Sequence, residues 1–278
     1  MTTERHFALN EKNQSGQAAV FGMLGLLLLF LGVVLLAQLG LLTHHAQHAQ
    51  AVADTSALSG AVTQAASLNQ MARLNDQIVE DFEELQWVCA STLFPSREAA
   101  RLVIETYELK TKLNKEAMNE TNRSGATLAQ ENAHLTCLLN SDGQAAFQYL
   151  GTDDLKEAVL PDDFTRWESR QIVYQYIQVV GNVVVIVVET DTVQTWMEKD
   201  TSCLTAFAAG CQWEEQPAFR GEGTLGPLPA LRTAAQAKPY GGRMYRPSPF
   251  YRVKLIALNA LHSPFRRRWG RKAAQYEH

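Results

Sequence analysis

The longest apolar stretch of the chain runs from Gln17 to Leu42, where Gln38 is the only strongly polar side chain after Ala18 and no side chain is charged. At a rise of about 1.5 Å per residue, a helix of this length spans roughly 37 Å, enough to cross a hydrocarbon core of about 30 Å. A bilayer interior offers no water to backbone amides, so such a segment must be helical. We therefore predict a transmembrane helix over 17–42, preceded by a cytoplasmic leader over 1–16.

The helical pattern continues beyond Leu42, because residues 43–93 contain no proline and only one glycine, Gly60. Small side chains recur there every four residues. They are Ala49, Ala53, Ala57, Ala61 and Ala65. Such an alanine stripe lets another helix approach closely, and we predict that it forms a helix-packing interface. Asp54 lies beside it, where a contact with a neighbouring helix or partner subunit and simple solvation are both open.

Two further patterns predict a helical hairpin over 43–139. Apolar residues spaced by three and four positions are Met71, Ile78, Phe82, Leu85 and Cys89. Pro95 ends this helix, and Ser96 is suited to cap the next one. The returning helix is predicted from Ala99, Leu102, Val103, Thr106, Leu109, Leu113 and Ala117, with a break at Asn122–Gly125.

The residues over 140–215 favour strands rather than helices, and a turn signal, Asn140-Ser141-Asp142-Gly143, opens this region. Two β-branched runs flank Gly181-Asn182, which predicts a β-hairpin. The run Val183–Val188 is apolar at every position, so we expect both of its faces to be covered.

The remaining residues, 216–278, are rich in proline and glycine up to Pro249, so irregular structure is expected there. A short helix over Phe250–Leu261 and a basic tail follow. The expected fold class is therefore α+β: a long N-terminal transmembrane helix that continues into a helical hairpin, followed by a small antiparallel β-sheet region.

The formal net charge of −4 hides an uneven distribution. Residues 43–239 carry 26 acidic and 14 basic side chains, whereas residues 240–278 carry nine basic side chains and one acidic side chain. The acidic main body argues against nucleic acid as a partner.

Orientation follows from the charges beside the apolar run. Arg5 and Lys12 precede it, and the first basic residue after it, histidine aside, is Arg73. The positive-inside rule then predicts a single-pass protein of the inner (cytoplasmic) membrane. Its N-terminus lies in the cytoplasm and its C-terminal domain is periplasmic or extracytoplasmic, so membrane lipid is a predicted partner.

All four cysteines follow the apolar run: Cys89, Cys137, Cys203 and Cys211. An even number in an oxidising compartment predicts two disulfides, for which three connectivities are possible. We favour Cys203–Cys211 and Cys89–Cys137, and free buried thiols are the alternative.

Three kinds of processing are compatible with the N-terminal residues. The apolar run can be retained as an anchor, which its length favours, because secretory signals have shorter apolar regions. An ordinary signal could instead be cut after Ala51, where Ala49-Gln50-Ala51 fits the small-x-small rule. A third possibility is cleavage between Gly16 and Gln17 at the cytoplasmic edge of the run.

The run Gln50-Ala51-Val52-Ala53-Asp54-Thr55-Ser56-Ala57-Leu58-Ser59-Gly60-Ala61 resembles the alanine-rich segment Q-x-A-A-D-A-A-A-L-A-G-A of the TadE/TadG-like proteins of Flp/Tad pilus assembly. The resemblance covers about residues 15–62, and two shorter pieces at 238–243 and 248–255 are similar to C-terminal parts of such proteins. Pilin-like members cut by prepilin peptidase often carry glutamate five positions after the scissile glycine, where this chain has Phe21. The metal-binding DxSxS motif of the larger members is absent from the sequence.

The resemblance implies a structural or assembly component, minor pilin-like or accessory, of a Tad/Flp-type pilus or related secretion machine. Its partners would be other pilin-like or Tad machinery subunits, in a homo- or hetero-oligomer. The alternative is a membrane-tethered extracytoplasmic binding or sensing module that never enters a filament. His44 and His48 are four residues apart, but no catalytic or nucleotide-binding motif is present. We predict no cofactor, no metal site and no enzymatic activity.

Overall fold

The computed structural model of the chain describes residues 4–151, 157–160, 167–196, 206–214, 230–245 and 250–256, with side chains described from residue 18 onward. The predicted disulfide partner Cys203 and the predicted basic tail lie outside these residues. The chain divides into two compact units. One comprises residues 1–48 and 214–231, and the other comprises residues 49–213 and 232–278.

The first helix, α1, runs from Glu4 to Ser91, so the helix predicted to continue past Leu42 does so. A backbone hydrogen bond from Thr92 to the carbonyl of Val88 closes its last turn at 3.0 Å. The two-residue strand β1, Leu93–Phe94, follows directly. Pro95 comes next, where a proline could not have continued the helix without losing a hydrogen bond.

The second helix, α2, runs from Arg97 to Asn140. The Ser96 hydroxyl accepts a hydrogen bond from the Ala99 amide at 3.2 Å, which confirms the predicted cap. The predicted break at Asn122–Gly125 is wrong. The buried Asn122 side chain bonds both the amide and the carbonyl of Leu160, at 2.8 and 3.2 Å, and a Cβ at Gly125 would overlap Ser67. These residues serve tertiary contacts within an unbroken helix.

Hydrogen bonds between the second half of α1 and α2 confirm the helical hairpin. Asn140 donates to Thr55 Oγ1 at 3.0 Å, Thr136 donates to Ser59 Oγ at 2.9 Å, and Asn132 donates to Thr63 Oγ1 at 3.0 Å. Residue numbers fall by four along α2 as they rise by four along α1. That spacing identifies the two helices as antiparallel neighbours.

The buried face of α2 is not the one predicted from its leucines. Its buried apolar residues include Ala100, Ile104, Tyr107, Met118, Ala126, Ala129, Ala133 and Cys137. Six leucines lie on the opposite face and are 48–69% exposed: Leu102, Leu109, Leu113, Leu128, Leu135 and Leu139. We call these six residues the leucine ridge. The small side chains on the covered face, such as Ala126, Ala129 and Ala133, allow α2 to approach its neighbours closely.

The first sheet has the strand order β1-β3-β4. Strands β3 (Ser169–Val180) and β4 (Val183–Gln194) are antiparallel and pair Val180 with Val183 across the turn, which confirms the hairpin at Gly181-Asn182. Gly181 has φ of 63°, a conformation that a two-residue hairpin turn requires and that glycine adopts without strain. Strand β1 pairs in parallel with the middle of β3.

The second sheet has the order β2-β5-β6-β7. Its strands are β2 (Ala145–Tyr149), β5 (Phe207–Trp213), β6 (Leu231–Tyr240) and β7 (Arg252–Ile256). The irregular structure predicted up to Pro249 is wrong at β6, and the helix predicted over Phe250–Leu261 is wrong at β7. Antiparallel pairing between β6 and β7 decides both segments, because ladder hydrogen bonds formed at long range override local propensity.

The outer half of the β3–β4 hairpin is not covered on both faces, contrary to prediction. Val183, Val184, Ile186 and Val188 are 58–65% exposed. The base of the hairpin instead contributes Ile172, Tyr174, Tyr176 and Val193 to the main hydrophobic core. The molecule is thus a mixed helix-and-sheet protein whose core lies between the helical hairpin and the base of the first sheet.

Candidate functional site

The apolar segment of α1 is one candidate membrane-spanning helix among the described residues. Its large apolar side chains are exposed, from 40% at Leu42 to 73% at Phe21. A contiguous apolar surface of this size on a water-soluble protein would be exceptional. A signal sequence near the N-terminus can pass the same test of length and apolar composition. Retention and cleavage of the run therefore predict different mature proteins.

The alanine stripe is a packing face inside the fold. Ala49, Ala53, Ala57 and Ala61 are fully buried, and Ala65 is 4% exposed. The hydrogen bonds from α2 reach Thr55, Ser59 and Thr63, which alternate with the alanines along the helix. Thr55, Ser59 and Thr63 lie two positions from the nearest stripe alanines, about 200° around the helix, so they contact α2 from a different side of α1 than the stripe.

The second sheet covers another side of the same helix segment. The Thr233 hydroxyl donates to the Ala49 carbonyl at 3.0 Å, and Gln50 Nε2 donates to the Ala234 carbonyl at 3.2 Å. The same Gln50 amide donates to Asp54 Oδ1 at 2.9 Å. Asp54 is therefore half-buried and accepts a hydrogen bond from a residue one turn away in its own helix.

Gly60 is the position where the second sheet comes closest to α1. A Cβ at this glycine would overlap the ring of Phe207, which is 1% exposed and packs against Tyr149 with 5.1 Å between ring centroids. The stripe is thus buried by the chain itself. The helix-packing interface predicted for it therefore lies within one molecule.

The structure does not form the predicted Cys89–Cys137 pair. Cys137 Sγ lies 3.1 Å from Cys211 Sγ, and Ser56 is a hydrogen-bonding neighbour of both. Cys89 lies 33 residues further along α1 than Ser56, which is about 50 Å of helix, far beyond the few ångströms that a disulfide spans. Cys89, Cys137 and Cys211 are buried free thiols in the structure, whereas the Cys203–Cys211 pairing involves a residue outside the described ones.

Lys115 is a buried cation that no sequence pattern indicated. It is 9% exposed, its Nζ donates to Gln194 Oε1 at 3.0 Å, and it lies 4.4 Å from the centroid of the Trp167 ring. Both contacts favour the charged form, yet desolvation outweighs them and lowers the pKa of Lys115 to about 8. This lysine joins α2 to the base of the first sheet.

The lowered pKa of Lys115 makes the free energy of unfolding depend on pH. Between about pH 8 and 10.5 the unfolded chain binds the proton and the folded chain does not, so stability rises with pH across this window. We expect a rise on the order of 2 kcal/mol in denaturant titrations of the wild type. Lys115→Met, which keeps the side-chain length, should flatten that rise. Parallel profiles for the two proteins would contradict the assignment.

A second polar cluster attaches the start of α2 to the hairpin. Tyr174 and Tyr176 donate their hydroxyls to the two oxygens of Glu189 at 2.9 and 3.0 Å, and Arg97 Nε lies 2.9 Å from Oε2. The hydrogen bond from Tyr174, followed by those from Tyr176 and Arg97, lowers the pKa of Glu189. A carboxylate satisfied in this way positions the hairpin and does not offer a reactive proton at neutral pH.

An open cleft lies between α1 and α2, beyond the region that the alanine stripe occupies. Its lining includes Asp81, Glu84, Val103, Tyr107 and Lys110. Lys110 Nζ lies 3.3 Å from Asp81 Oδ1 on its rim. Burial raises the pKa of Tyr107 to about 12, and its hydroxyl donates to the Gln194 carbonyl at 3.0 Å. The cleft is open and mixed in charge. The described residues that line it do not form a converging set of catalytic groups.

The three histidines that follow the apolar run do not gather metal ligands. In the described part of the chain, no group of three His, Cys, Asp or Glu side chains could hold a metal ion. Burial, followed by the charges of His48 and His44, lowers the pKa of His45.

The sequence did not indicate Lys115, the Glu189 cluster or the leucine ridge. Each of them depends on which face of its helix or strand a neighbouring element covers.

Comparison with known proteins identifies no relative: no family model, no curated protein and no solved structure matches this chain. The function of these residues is therefore inferred from their geometry alone.

Proposed function

We propose that this chain is a membrane-anchored structural component, minor pilin-like or accessory, of a Tad/Flp-type pilus or a related secretion machine. It would be a single-pass protein of the inner membrane, with its N-terminus in the cytoplasm and its folded body on the extracytoplasmic side. Its role would be to associate with other subunits rather than to catalyse a reaction. Processing between Gly16 and Gln17 is compatible with this role.

One observation carries the proposal. A single helix, α1, contains an exposed apolar run long enough to cross a bilayer and, further along, the small-residue face on which the body is built. A chain whose membrane segment and core residues lie on one helix is suited to hold a folded body at a membrane.

The leucine ridge on α2 supports association with a partner. Six leucines project from the face opposite the buried one, along a helix of 44 residues. The ridge consists of two apolar patches, Leu102 to Leu113 and Leu128 to Leu139. Exposed apolar patches on a helix are typical of surfaces that pack against another helix. We propose that a neighbouring subunit of the assembly covers the ridge, since the alanine stripe is filled within the chain.

The test is cross-linking in the membrane of cells that produce the full chain. The double variant Leu109→Lys, Leu113→Lys places two charges on the ridge at positions 59% and 57% exposed, so the fold should tolerate it. We expect the yield of cross-linked species to fall at least tenfold, because burying an unpaired ammonium in an apolar interface is costly. Membrane retention should be unchanged.

The matched control is Ala51→Lys, Val62→Lys, which adds the same charge at exposed positions of α1. It should cross-link like the wild type. Equal yields from the ridge variant and this control would contradict the ridge as the subunit interface. Recovery of the chain in sheared surface fibres would favour the pilus role over a tethered module.

The second candidate is a membrane-tethered binding or sensing module. The cleft beside Tyr107 and Lys110 favours it, because it is open and combines apolar walls with charged groups. The two candidates differ in where the protein is found: a tethered module stays in the membrane and leaves no protein in sheared fibres.

A further inference from the structure

We infer that Cys137 and Cys211 are a disulfide-forming pair that links α2 covalently to the second sheet. Their sulfurs lie 3.1 Å apart, both residues are fully buried, and 74 positions separate them in the chain. The sequence instead predicted Cys203–Cys211 across a short loop and Cys89–Cys137 closing the helical hairpin. In an oxidising compartment, which the proposed function supplies, this pair would be oxidised.

The position of Cys137 is set by the end of α2. Cys137 lies one turn before the helix ends at Asn140, and its carbonyl accepts a hydrogen bond from the Ser141 amide at 3.0 Å. The Gly143 amide bonds the Leu138 carbonyl at 2.8 Å, with Asp142 and Gly143 both at positive φ. This closed helix end leads directly into β2.

The position of Cys211 is set by strand pairing. Strand β2 pairs with β5 along its whole length, and Cys211 is opposite Phe147 in that register. Because β2 begins two residues after Gly143, the strand ladder and the end of α2 together determine where the two cysteines lie. Thr233 adds a further contact, its hydroxyl lying 3.5 Å from the Cys211 carbonyl.

The surroundings of the pair favour a covalent link over another use of the thiols. The hydrogen-bonding neighbours are uncharged: Ser56 from α1, and Thr233, whose hydroxyl lies 3.5 Å from the Cys211 carbonyl. Two cysteines supply fewer ligands than the four that a structural zinc site requires. The two sulfurs need to approach by about 1 Å to reach bonding distance, a shift within the range of side-chain rotation.

The oxidation is a two-electron exchange with a protein or small-molecule disulfide. The Cys137 thiolate attacks a sulfur of that oxidant and releases one of its thiols, which leaves a mixed disulfide. Cys211 then loses its proton and attacks the Cys137 sulfur, forming the Cys137–Cys211 bond and releasing the oxidant's second thiol. The same exchange balances if Cys211 attacks first; the hydrogen bond from Cys211, which lowers the pKa of Cys137, favours Cys137 as the attacking thiolate.

Cys89 is a different kind of residue. It is 2% exposed in the main core beside Leu85 and Phe94, and burial raises its pKa. A thiol in such surroundings behaves as a small apolar side chain. We therefore expect Cys89 to stay reduced when the pair is oxidised.

The experiment uses the full chain, purified in detergent, reduced, and then exposed to oxidised glutathione. Remaining thiols are alkylated under denaturing conditions, and non-reducing proteolysis with mass spectrometry identifies the linked peptides. We expect one peptide pair that contains Cys137 and Cys211, with Cys89 alkylated. A Cys203–Cys211 linkage, or four alkylated cysteines, would overturn the inference.

A thermal measurement gives a second readout. A disulfide closing a loop of this length should raise Tm by roughly 10 °C, so reductant should lower Tm of the oxidised wild type by that amount. Cys89→Ala should respond to reductant as the wild type does, and Cys137→Ala, Cys211→Ala should not respond. A reductant response that survives in the double variant would also overturn the inference.

The same mass analysis on protein alkylated during extraction from cells separates this inference from the proposed function. If the pair forms with glutathione but is reduced in cells, the chain folds as inferred and the extracytoplasmic location fails. If the extracted protein carries another linkage, the pairing itself fails whatever the location.

Discussion

Replacing Leu28 and Leu31 with arginine is expected to release the chain from the membrane fraction. Both leucines lie within one turn of the middle of the apolar run and are 64% and 48% exposed among the residues that the structure describes. Each arginine near the centre of a membrane helix disfavours insertion by about 2.5–3.5 kcal/mol. Two of them oppose insertion by roughly 6 kcal/mol, more than the run of leucines beside them can offset. Resistance to alkaline extraction is the measurement.

The matched control places two arginines on a different exposed apolar surface. Val179→Arg, Val184→Arg changes positions that are 66% and 65% exposed at the tip of the β3–β4 hairpin. This variant should stay in the membrane fraction. A wild-type protein whose mass begins after Ala51 would show that the run is a cleaved signal, and a Leu28, Leu31 variant that resists extraction would contradict the anchor.

Gly60→Leu is expected to give the largest loss of folding stability among single substitutions on α1. Even a Cβ at this position would overlap the Phe207 ring, so leucine must displace a side chain that is 1% exposed. Expelling a buried phenylalanine costs about 3–5 kcal/mol. The gain from removing glycine from a helix interior offsets only about 1 kcal/mol. Chemical denaturation of the detergent-solubilised chain should show a net loss of about 2–4 kcal/mol.

A rescue variant tests whether the ring is the cause. Adding Phe207→Ala to Gly60→Leu removes the overlapping group, so the two losses should be less than additive by about 1 kcal/mol or more. Val62→Leu, at an exposed position half a turn away, should leave stability within about 0.5 kcal/mol of the wild type. Additive losses would mean that Gly60 matters for some reason other than Phe207.

The helices were the most predictable part of the fold. The three- and four-residue spacing of Met71, Ile78, Phe82 and Leu85 predicted a buried face, and all four side chains are at most 4% exposed. Ser96 and Pro95 predicted the boundary between the helices, because capping and proline effects act within a few residues. These signals act within a few residues, so they can be recognised in the sequence.

The leucines of α2 show where local signals fail. Leu102, Leu109 and Leu113 have helical spacing, so they predicted the core face, yet they are exposed. The covered face carries Ala100, Thr111 and Lys115 instead. Small residues allow helices to pack closely. A hydrophobicity scale alone therefore cannot distinguish the helix face that is buried from an apolar face that is exposed.

The sequence by itself determined the apolar run, the helix that continues past it, the helical hairpin and the turn at Gly181-Asn182, since each follows from periodicity or turn chemistry within a few residues. Only the tertiary structure decided that the alanine stripe is occupied inside the chain, that Cys137 faces Cys211, and that β6 and β7 are strands. Those outcomes depend on contacts between residues far apart in the chain, and such contacts form only when whole elements pack together.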